Sequence, residues 1–304
     1  KISIIGTNGF LSTTIAKYFS ISKNEINMYG RHEPKHPYSH FYYVNLSKAT
    51  DACIDLKDLS DSDLIIYAAG AGIQSNLHED SNLIYKLNTF VPVMICNMLN
   101  VHNFLGTIVT FGSYFEMGEV KEQKLFTESE IVTSLSPSPN EYTNSKRMFT
   151  RFISSYQHNF RHWHFILPTI YGKGENQQRL IPYTINAIKQ GKPLHFTTGD
   201  QVRQYLHVSE VPYVLDLSLR KQLPNGIYNI AGADILSVKQ LVILIHKQLG
   251  KQVSDNCFGS VVRKDIGMKY LALDGKKLSN KIEWQSHTNL EEGIQVYLKD
   301  LYGK

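Results

Sequence analysis

Tyr142 and Lys146 stand four residues apart within the sequence EYTNSK (141–146). If this segment is helical, both side chains project from one face of the helix. A free phenol has a pKa of about 10, and a nearby ammonium group stabilises its ionised form. Tyr142 is therefore a candidate for proton exchange with a substrate. The same spacing also occurs on ordinary amphipathic helices, so the interpretation depends on the other motifs of the chain.

The loop GTNGFLS (6–12) directly follows an apolar run and leads into a predicted helix. Glycines allow the backbone to turn sharply and to approach a pyrophosphate, and the helix N-terminus behind them supplies free N–H groups. The loop therefore predicts dinucleotide binding. Ser12 occupies the position of the usual third glycine, and an ordinary strand-to-helix turn is the alternative.

The second predicted strand ends in the sequence MYGRH (28–32). An acidic residue at this place hydrogen-bonds the adenosine ribose and repels the additional phosphate of NADP(H). No carboxylate occurs here, and the planar guanidinium of Arg31 is suited to a phosphate. The strand end thus favours NADP(H), with NAD(H) possible. A solvated surface arginine is the alternative interpretation of Arg31.

The elements that must position these residues alternate between short apolar runs and amphipathic segments. This alternation predicts an α/β fold of the Rossmann type, a doubly wound parallel sheet with helices on both faces. The Ser-, Pro- and Thr-rich segment 127–140 predicts a loop. The predicted strands are residues 2–5, 26–29, 41–44, 64–68, 107–111 and 164–167, and the predicted helices include 85–99 and 142–156.

Beyond Pro168 the strand signals shorten, and glycine and proline recur. This change predicts a domain boundary near residue 170. We expect residues 1–170 to form a dinucleotide-binding domain. Residues 171–304 then form mainly a smaller C-terminal substrate-binding region, with some segments returning to the first domain.

Taken together, the motifs resemble the extended short-chain dehydrogenases/reductases of the nucleotide-sugar epimerase, dehydratase and reductase group. The resemblance covers nearly the whole chain and rests on the loop 6–11, the strand 63–69 followed by Gly70, Asn88, the Tyr142/Lys146 pair and the sequence PTIYG (168–172). It implies an NAD(P) cofactor and a nucleotide-sugar substrate. The cofactor-binding residues that it implies are Gly6, Asn8, Gly9, Phe10, Leu11, Arg31, Leu46, Ala68, Ala69, Gly70, Asn88, Tyr142, Lys146 and Pro168.

The resemblance also implies a role for Ser113, which follows the fifth predicted strand. Ser113 would hydrogen-bond the reacting sugar oxygen and steer the proton to or from Tyr142, and Lys146 would also hold the nicotinamide ribose. A turn serine is the alternative. Dehydratases of the family carry an acid pair directly after this serine. Tyr114 and Phe115 occupy those positions here, which argues against dehydration.

Two arginines resemble the phosphate-binding arginines of the family. Arg203 lies in the sequence GDQVRQYLHV (199–208), with Gln204 in place of the common Asp, and Arg263 lies in VRKD (262–265). Bidentate, charge-assisted hydrogen bonds suit guanidinium groups to a pyrophosphate. Ordinary surface arginines are the alternative. The resemblance further implies a homodimer formed through the helices around 82–102 and 142–158.

Two reactions remain open for the catalytic residues. In a 4-keto reductase, NADPH delivers hydride to C4 of the sugar while Tyr142 protonates the oxygen. In a 4-epimerase, tightly held NAD+ removes the hydride and returns it to the opposite face. Arg31 favours the reductase, because epimerases of the family usually carry an acid at that strand end. A non-catalytic dinucleotide-sensing protein is a third alternative, which the presence of Ser113, Tyr142 and Lys146 disfavours.

The composition of the sequence further limits the classes of protein to which the chain can belong. The 32 basic residues are dispersed and diluted by 27 acidic ones, so a net charge of +5 does not predict nucleic-acid binding. The apolar runs are too short to cross a bilayer, and the first residues lack the pattern of a secretory signal. Cys53, Cys96 and Cys257 show no paired spacing, which is typical of a reducing cytoplasm.

Two pairs of histidines, His36/His40 and His162/His164, have a spacing that suggests metal ligands. Neither pair has a third ligand or a recognisable scaffold, so we expect no metal site. We interpret these four histidines as surface or loop residues. The nicotinamide would carry the redox chemistry without a metal.

Overall fold

The computed structural model describes residues 1–36, 38, 40–48, 59–73, 79–254, 257–261 and 268–302. Apolar runs such as Ile2–Ile5 and Leu64–Tyr67 form fully buried strands, because β-branched side chains pack well on a pleated surface covered on both faces. The described strands are β1 (Ile2–Ile5), β2 (Ile26–Gly30), β3 (His40–Tyr43), β4 (Leu64–Tyr67), β5 (Thr107–Ser113), β6 (Arg161–Leu167), β7 (Thr169–Tyr171), β8 (Val202–His207), β9 (Gly226–Asn229), β10 (Asp234–Ser237) and β11 (Tyr270–Leu271).

Seven of these strands form one parallel sheet in the order β3-β2-β1-β4-β5-β6-β9. The chain runs outward from β1 through β2 to β3, and then crosses to β4 on the other side of β1. The strand order therefore reverses between β1 and β4, which opens a crevice at the carboxyl ends of these two strands. The predicted Rossmann-type fold is confirmed.

Helices cover both faces of the sheet. One hydrophobic core contains Ile95 and Phe149, and the other contains Ile15 and Leu215. The described helices are α1 (Phe10–Ser20), α2 (Ser81–Tyr85), α3 (Val91–Val101), α4 (Glu128–Thr133), α5 (Glu141–Ser155), α6 (Leu180–Lys189), α7 (Glu210–Arg220), α8 (Val238–Gln248), α9 (Lys276–Ile282) and α10 (Leu290–Tyr302), with short 3₁₀ turns at Leu46–Lys48 and Tyr114–Met117 and a π-turn at Lys86–Phe90.

The six predicted strands are confirmed, with ends that shift by at most three residues. The predicted helix 142–156 corresponds to α5. The predicted helix 85–99 is instead divided into α2, the π-turn Lys86–Phe90 and α3. Pro92 explains the division, because its ring cannot donate a hydrogen bond and clashes with the carbonyl group four residues earlier.

The loop prediction for 127–140 is wrong in its first half, where α4 forms. Thr127 and Glu130 make a reciprocal capping box: the Thr127 N–H donates to Glu130 Oε2 (3.0 Å), and the Glu130 N–H donates to Thr127 Oγ1 (3.4 Å). The spacing of Thr and Glu three residues apart is a helix-start signal that the overall Ser/Pro content concealed.

The chain after Pro168 builds a second, smaller sheet. In it β8 pairs with β7, β10 and β11, and α6, α8 and α10 enclose a separate core around Ile185, Ile245 and Ile294. The chain also returns to the large sheet, because β9 pairs with β6. None of the helices in the described ranges has both the length and the apolar character needed to span a membrane.

Replacing Thr127 by Ala should lower the free energy of unfolding by about 1 kcal/mol, because the helix loses its side-chain cap. Urea denaturation followed by circular dichroism measures the change. Ser129→Ala, an exposed position in the first turn of the same helix, is the matched control. Equal denaturation midpoints for the two variants would show that the cap contributes nothing.

Candidate active site

Two adjoining cavities of about 340 Å³ and about 190 Å³ lie at the carboxyl ends of β1 and β4. They share Gly9 and the segment 68–70, so together they form one continuous crevice. Among the predicted cofactor residues, the larger cavity is lined by Gly9, Phe10, Leu11, Ala68, Ala69, Gly70, Tyr142, Lys146 and Pro168, and the smaller by Gly6, Gly9, Arg31, Leu46, Ala68, Ala69 and Gly70.

Gly6 allows the loops after β1 and β4 to come together. Its φ is +110°, and a Cβ atom at this position would lie 2.9 Å from the backbone nitrogen of Ala69. A side chain is therefore excluded by both conformation and space. Gly9 then precedes α1, whose first residues, Phe10 and Leu11, line the larger cavity and carry backbone N–H groups without partners in the helix. This backbone cradle fits a dinucleotide.

Asn8 stabilises the neighbouring chain segment instead of lining either cavity. Its side-chain amide donates to the carbonyl oxygen of Glu33 (2.7 Å) and accepts from the N–H of Lys35 (3.1 Å). These bonds hold the segment that follows β2 close to the glycine loop. Asn8 thereby helps to place Arg31, which lies between β2 and this segment.

The smaller cavity contains the features expected around the adenosine end of a dinucleotide. Arg31, His32 and Ser47 contribute polar groups to its wall. No carboxylate occurs among the described residues that line it. The Arg31 side chain is exposed, so its guanidinium is accessible from the cavity and from solvent.

The larger cavity brings Ser113, Tyr142 and Lys146 together. Ser113 is the last residue of β5, and α5 presents Tyr142 and Lys146 from its first two turns. Tyr142 hydrogen-bonds the Ser113 side chain. Lys146 Nζ donates to the carbonyl oxygen of Phe111 (2.9 Å). The end of β5 therefore holds both Tyr142 and Lys146 in place.

Burial changes the proton affinity of this pair in opposite directions. Desolvation raises the pKa of Tyr142 to about 12, partly opposed by the hydrogen bond from Ser113. Desolvation lowers the pKa of Lys146 to about 8, partly opposed by the charge of Glu116. Both changes have the same origin, since a low-dielectric environment disfavours the charged form of each group. At neutral pH the phenol carries its proton.

The π-turn ties the larger cavity to the sheet through Asn88, which is buried behind the cavity wall. Asn88 accepts from the Ala71 N–H (3.1 Å) and donates to the Ala71 carbonyl (2.8 Å) and to Ser145 Oγ (3.0 Å). Thr89 Oγ1 donates to the Ser145 carbonyl (2.7 Å). Asn88 therefore fixes α5, and with it Tyr142, relative to the end of β4.

The substrate side contains an arginine that the sequence motifs did not reveal. Arg179 lines the larger cavity and forms an ion pair with the buried Glu175 (3.5 Å). It precedes α6 in a polar loop without a recognisable motif. Arg203 lies on β8 over the ring of Phe115 (5.9 Å). Burial raises the pKa of Tyr114, and the charges of both arginines oppose this shift, so both arginines lie near Tyr114. Arg263 falls outside the described residues.

The interpretation of His162 and His164 as surface or loop residues is wrong. Both lie on β6 and are at most 1% exposed. They alternate with apolar residues, so they share one face of the sheet, where Phe149 of α5 packs against them. Within the described ranges, no three potential ligands form a group that could hold a metal ion.

Residues 2–231 match the NAD dependent epimerase/dehydratase family. The chain belongs to this family. It is 28% identical to the CDP-abequose synthase of Salmonella typhimurium over 53% of the chain and 56% of that protein. It is also 24% identical to a probable dTDP-glucose 4,6-dehydratase of Sinorhizobium fredii over 81% of the chain and 70% of that protein.

Solved structures share the fold at lower sequence identity. The dTDP-glucose 4,6-dehydratase of Bacillus anthracis, in complex with NAD, superposes with a TM-score of 0.80 at 19% identity, covering 98% of this chain and 95% of the dehydratase. The fold that this chain shares with the dehydratase thus extends over nearly its entire length.

Replacing Lys146 by Met should remove a pH-dependent part of the stability. The folded-state pKa of about 8 lies below the ordinary 10.5, so above pH 8 the unfolded chain binds the additional proton. The stability of the wild-type protein should therefore rise relative to Lys146→Met between about pH 8 and 10, by on the order of 2 kcal/mol.

Urea denaturation of the protein without cofactor, at a series of pH values, measures this difference. Lys17→Met at an exposed position of α1 is the control for loss of a lysine that is not desolvated. If the free energies of unfolding of the wild type and Lys146→Met differ by the same amount at every pH, the ammonium group of Lys146 is not desolvated.

Proposed function

We propose that this protein is an NADP(H)-dependent reductase of a nucleotide-linked 4-keto sugar, with Tyr142 as the proton donor. The observation that carries the proposal is the meeting of Ser113, Tyr142 and Lys146 in one cavity that continues into the dinucleotide crevice. The family membership supports a nicotinamide cofactor.

The protonation states of Tyr142 and Lys146 suit the reduction of a ketone. When bound, the dihydronicotinamide supplies a hydride to C4 of the sugar. Tyr142, protonated at neutral pH, supplies the proton to the oxygen at C4, and Ser113 hydrogen-bonds that oxygen. The Lys146 ammonium stabilises the phenolate that forms. Its pKa of about 8 also allows it to pass a proton to Tyr142 near neutral pH.

The residues after Ser113 do not favour dehydration. Tyr114 is buried and its hydroxyl hydrogen-bonds Thr169, while the Phe115 ring packs edge-on against Tyr142. Elimination of water from a keto sugar needs an acid and a base beside the ring. Two aromatic side chains supply neither function at these positions.

The lining of the smaller cavity favours NADP(H). Arg31 and His32 offer positive charge or hydrogen-bond donors, and no carboxylate among its described lining residues opposes a 2′-phosphate. A 4-epimerase with bound NAD remains the second candidate, because Ser113, Tyr142 and Lys146 serve it equally well and the similar dehydratase structure contains NAD.

Arg179 and Arg203 are the groups that we expect to bind the diphosphate of the nucleotide. Arg179 lines the larger cavity, and Arg203 lies over the ring of Phe115, which also lines it. A pair of guanidinium groups can neutralise both phosphates through bidentate hydrogen bonds. Because Arg179 and Tyr142 line the same cavity, we expect the sugar ring to bind between the diphosphate and Tyr142.

We further propose that the protein forms a homodimer through α3 and α5. Phe90, Val101 and Met148 are large apolar residues on or beside these helices, and they are 58%, 77% and 45% exposed. Apolar side chains concentrated on one surface are typical of protein interfaces.

Replacing Tyr142 by Phe should reduce turnover by at least about 100-fold and leave cofactor affinity nearly unchanged, because only the transferable proton is lost. We would measure the absorbance of NADPH with a panel of UDP-, dTDP-, CDP- and GDP-linked 4-keto sugars. Stoichiometric NADPH oxidation supports reduction. Interconversion of non-keto sugars without net cofactor loss supports epimerisation. Full activity of Tyr142→Phe would exclude Tyr142 from the mechanism.

Replacing Arg31 by Ala should weaken NADPH binding by about 10- to 100-fold, since charge-assisted hydrogen bonds to the 2′-phosphate disappear. The affinity for NADH should stay the same. Fluorescence titration with each cofactor measures both constants. Arg161→Ala, at the opposite end of the sheet, is the matched control. An equal loss for NADPH and NADH would argue against a 2′-phosphate contact.

A further inference from the structure

A chain of buried polar side chains runs behind the candidate active site. Thr110 Oγ1 of β5 lies 2.8 Å from His162 Nε2 and 2.7 Å from His164 Nδ1. His164 Nε2 lies 2.8 Å from Thr150 Oγ1 of α5. Thr150 in turn hydrogen-bonds the carboxyl group of Glu116. All five side chains are buried, so these contacts replace water entirely.

The protonation states of the two histidines allow all hydrogen bonds between these side chains to point in one direction, from His162 to Glu116. Burial lowers the pKa of His162 to about 3 and that of His164 well below its usual value, so both imidazoles are neutral. If each carries its proton on Nε2, His162 donates to Thr110, Thr110 donates to His164, His164 donates to Thr150, and Thr150 donates to Glu116. Each hydroxyl then donates once and accepts once.

The inner end of this chain is Glu116, whose side chain closes a capping box with Ser113, three residues earlier in the sequence. Its Oε1 accepts from the Ser113 N–H (2.7 Å), while Oε2 has no hydrogen-bond partner among the described residues. Burial raises the pKa of its carboxyl group, and the charges of Lys146 and Arg147 on α5 oppose this shift. Glu116 in turn raises the pKa of Tyr142 and of Lys146.

Gly112 leaves the space that this row of polar side chains occupies. A Cβ atom there would lie 2.6 Å from Glu116 Oε1 and 2.7 Å from His164 Nε2. The φ of Gly112 is not in the left-handed region, so space alone requires the glycine. The space beside β5 is therefore occupied by the side chains of Glu116, His164 and Ile166.

The outer end reaches a different surface of the protein. His162 Nδ1 is buried and has no hydrogen-bond partner within the described ranges. His162 lines a groove of about 380 Å³ together with Glu128, His158 and Lys277, and none of its described lining residues also lines the active-site cavities. The ring of the half-buried His158 lies 5.8 Å from that of His162.

Reduction of a ketone consumes one proton in addition to the hydride, and Tyr142 is left as a phenolate. A dinucleotide and a sugar that fill the crevice block the direct path from solvent. We propose that the chain from His162 through Thr110, His164, Thr150 and Glu116 is a proton relay that carries this proton from the groove to the active site. This inference rests on the proposed reductase function.

The transfer is balanced at every step. A proton binds His162 Nδ1, and the Nε2 proton moves to Thr110, whose own proton passes to His164 Nδ1. The His164 Nε2 proton moves to Thr150, whose own proton passes to the Glu116 carboxylate. Glu116 then protonates the neutral amine of Lys146 after this amine has given its proton to the phenolate. One proton enters, one arrives at Tyr142, and no electrons move.

The last transfer needs Lys146 Nζ to leave the Phe111 carbonyl oxygen and the Glu116 carboxyl group to turn, so that the proton received from Thr150 points towards the amine. Rotation of the two hydroxyls and a half-turn of both imidazoles restore the starting directions. These motions must occur once in each turnover. An epimerase needs no such relay, because it returns both hydride and proton to the same substrate.

Replacing Thr150 by Val removes one hydroxyl of the relay with little change in volume. Stopped-flow mixing of the NADPH complex with the 4-keto sugar that the wild type reduces should show an unchanged first turnover, because Tyr142 is already protonated. The steady-state rate should fall by at least about tenfold. Thr184→Val is the matched control, since Thr184 is equally buried and its hydroxyl donates to the Leu180 carbonyl (2.7 Å).

A second variant separates proton transfer from a purely structural role. His162→Ala opens a space beside the groove, and imidazole, a small proton carrier, should restore its steady-state rate. Pyrazole has the same shape but is much less basic, so it should not. Equal rescue by both molecules, or by neither, contradicts the relay, also in the case that Thr150→Val proves unstable.

The remaining outcomes distinguish the relay from the proposed function. A wild-type burst with equal steady-state rates for Thr150→Val and Thr184→Val overturns the relay and leaves the reductase standing. Absence of NADPH oxidation by the wild type with every 4-keto sugar of the panel overturns the reductase, and the relay with it.

Discussion

Desolvation of the phenol and ammonium at the end of β5 is the constraint on which the site depends. It raises the pKa of Tyr142 and lowers that of Lys146, so that at neutral pH a phenol stands beside an amine that readily changes its charge. The hydrogen bond from Ser113 moderates the shift of Tyr142, whereas the charge of Glu116 moderates the shift of Lys146 and adds to that of Tyr142. An enclosed cavity is thus what suits these two side chains to the proton transfer that we propose.

The fold creates this enclosure because parallel strands bring their carboxyl ends to one edge of the sheet. The glycine loop after β1, the loop after β4 and Ser113 at the end of β5 all meet there. The π-turn supports the arrangement from behind, since Asn88 bonds both Ala71 and Ser145. The proposed cofactor cradle and the proposed proton-transfer group are therefore adjacent as a consequence of topology.

The sequence supported the family, the fold and the grouping of Ser113, Tyr142 and Lys146, because each signal is local. A glycine loop after a strand, a Tyr and a Lys one helical turn apart, and alternating apolar runs keep their meaning without knowledge of distant contacts. The capping box of α4 was also local, and the prediction of a loop there failed because composition was given more weight than spacing.

Local sequence patterns could not predict the burial and the contacts of the polar residues behind the site. His162 and His164 look like surface residues in a list of amino acids, and Glu116 looks like a solvated charge. Their partners Thr110 and Thr150 stand up to 54 positions away in the chain, and only packing of α5 against β5 and β6 brings them together. Arg179 likewise reaches the cavity through the path of a loop. Local pattern thus determines which elements form, whereas burial and long-range hydrogen bonds determine which polar side chains face one another, since both depend on how those elements pack.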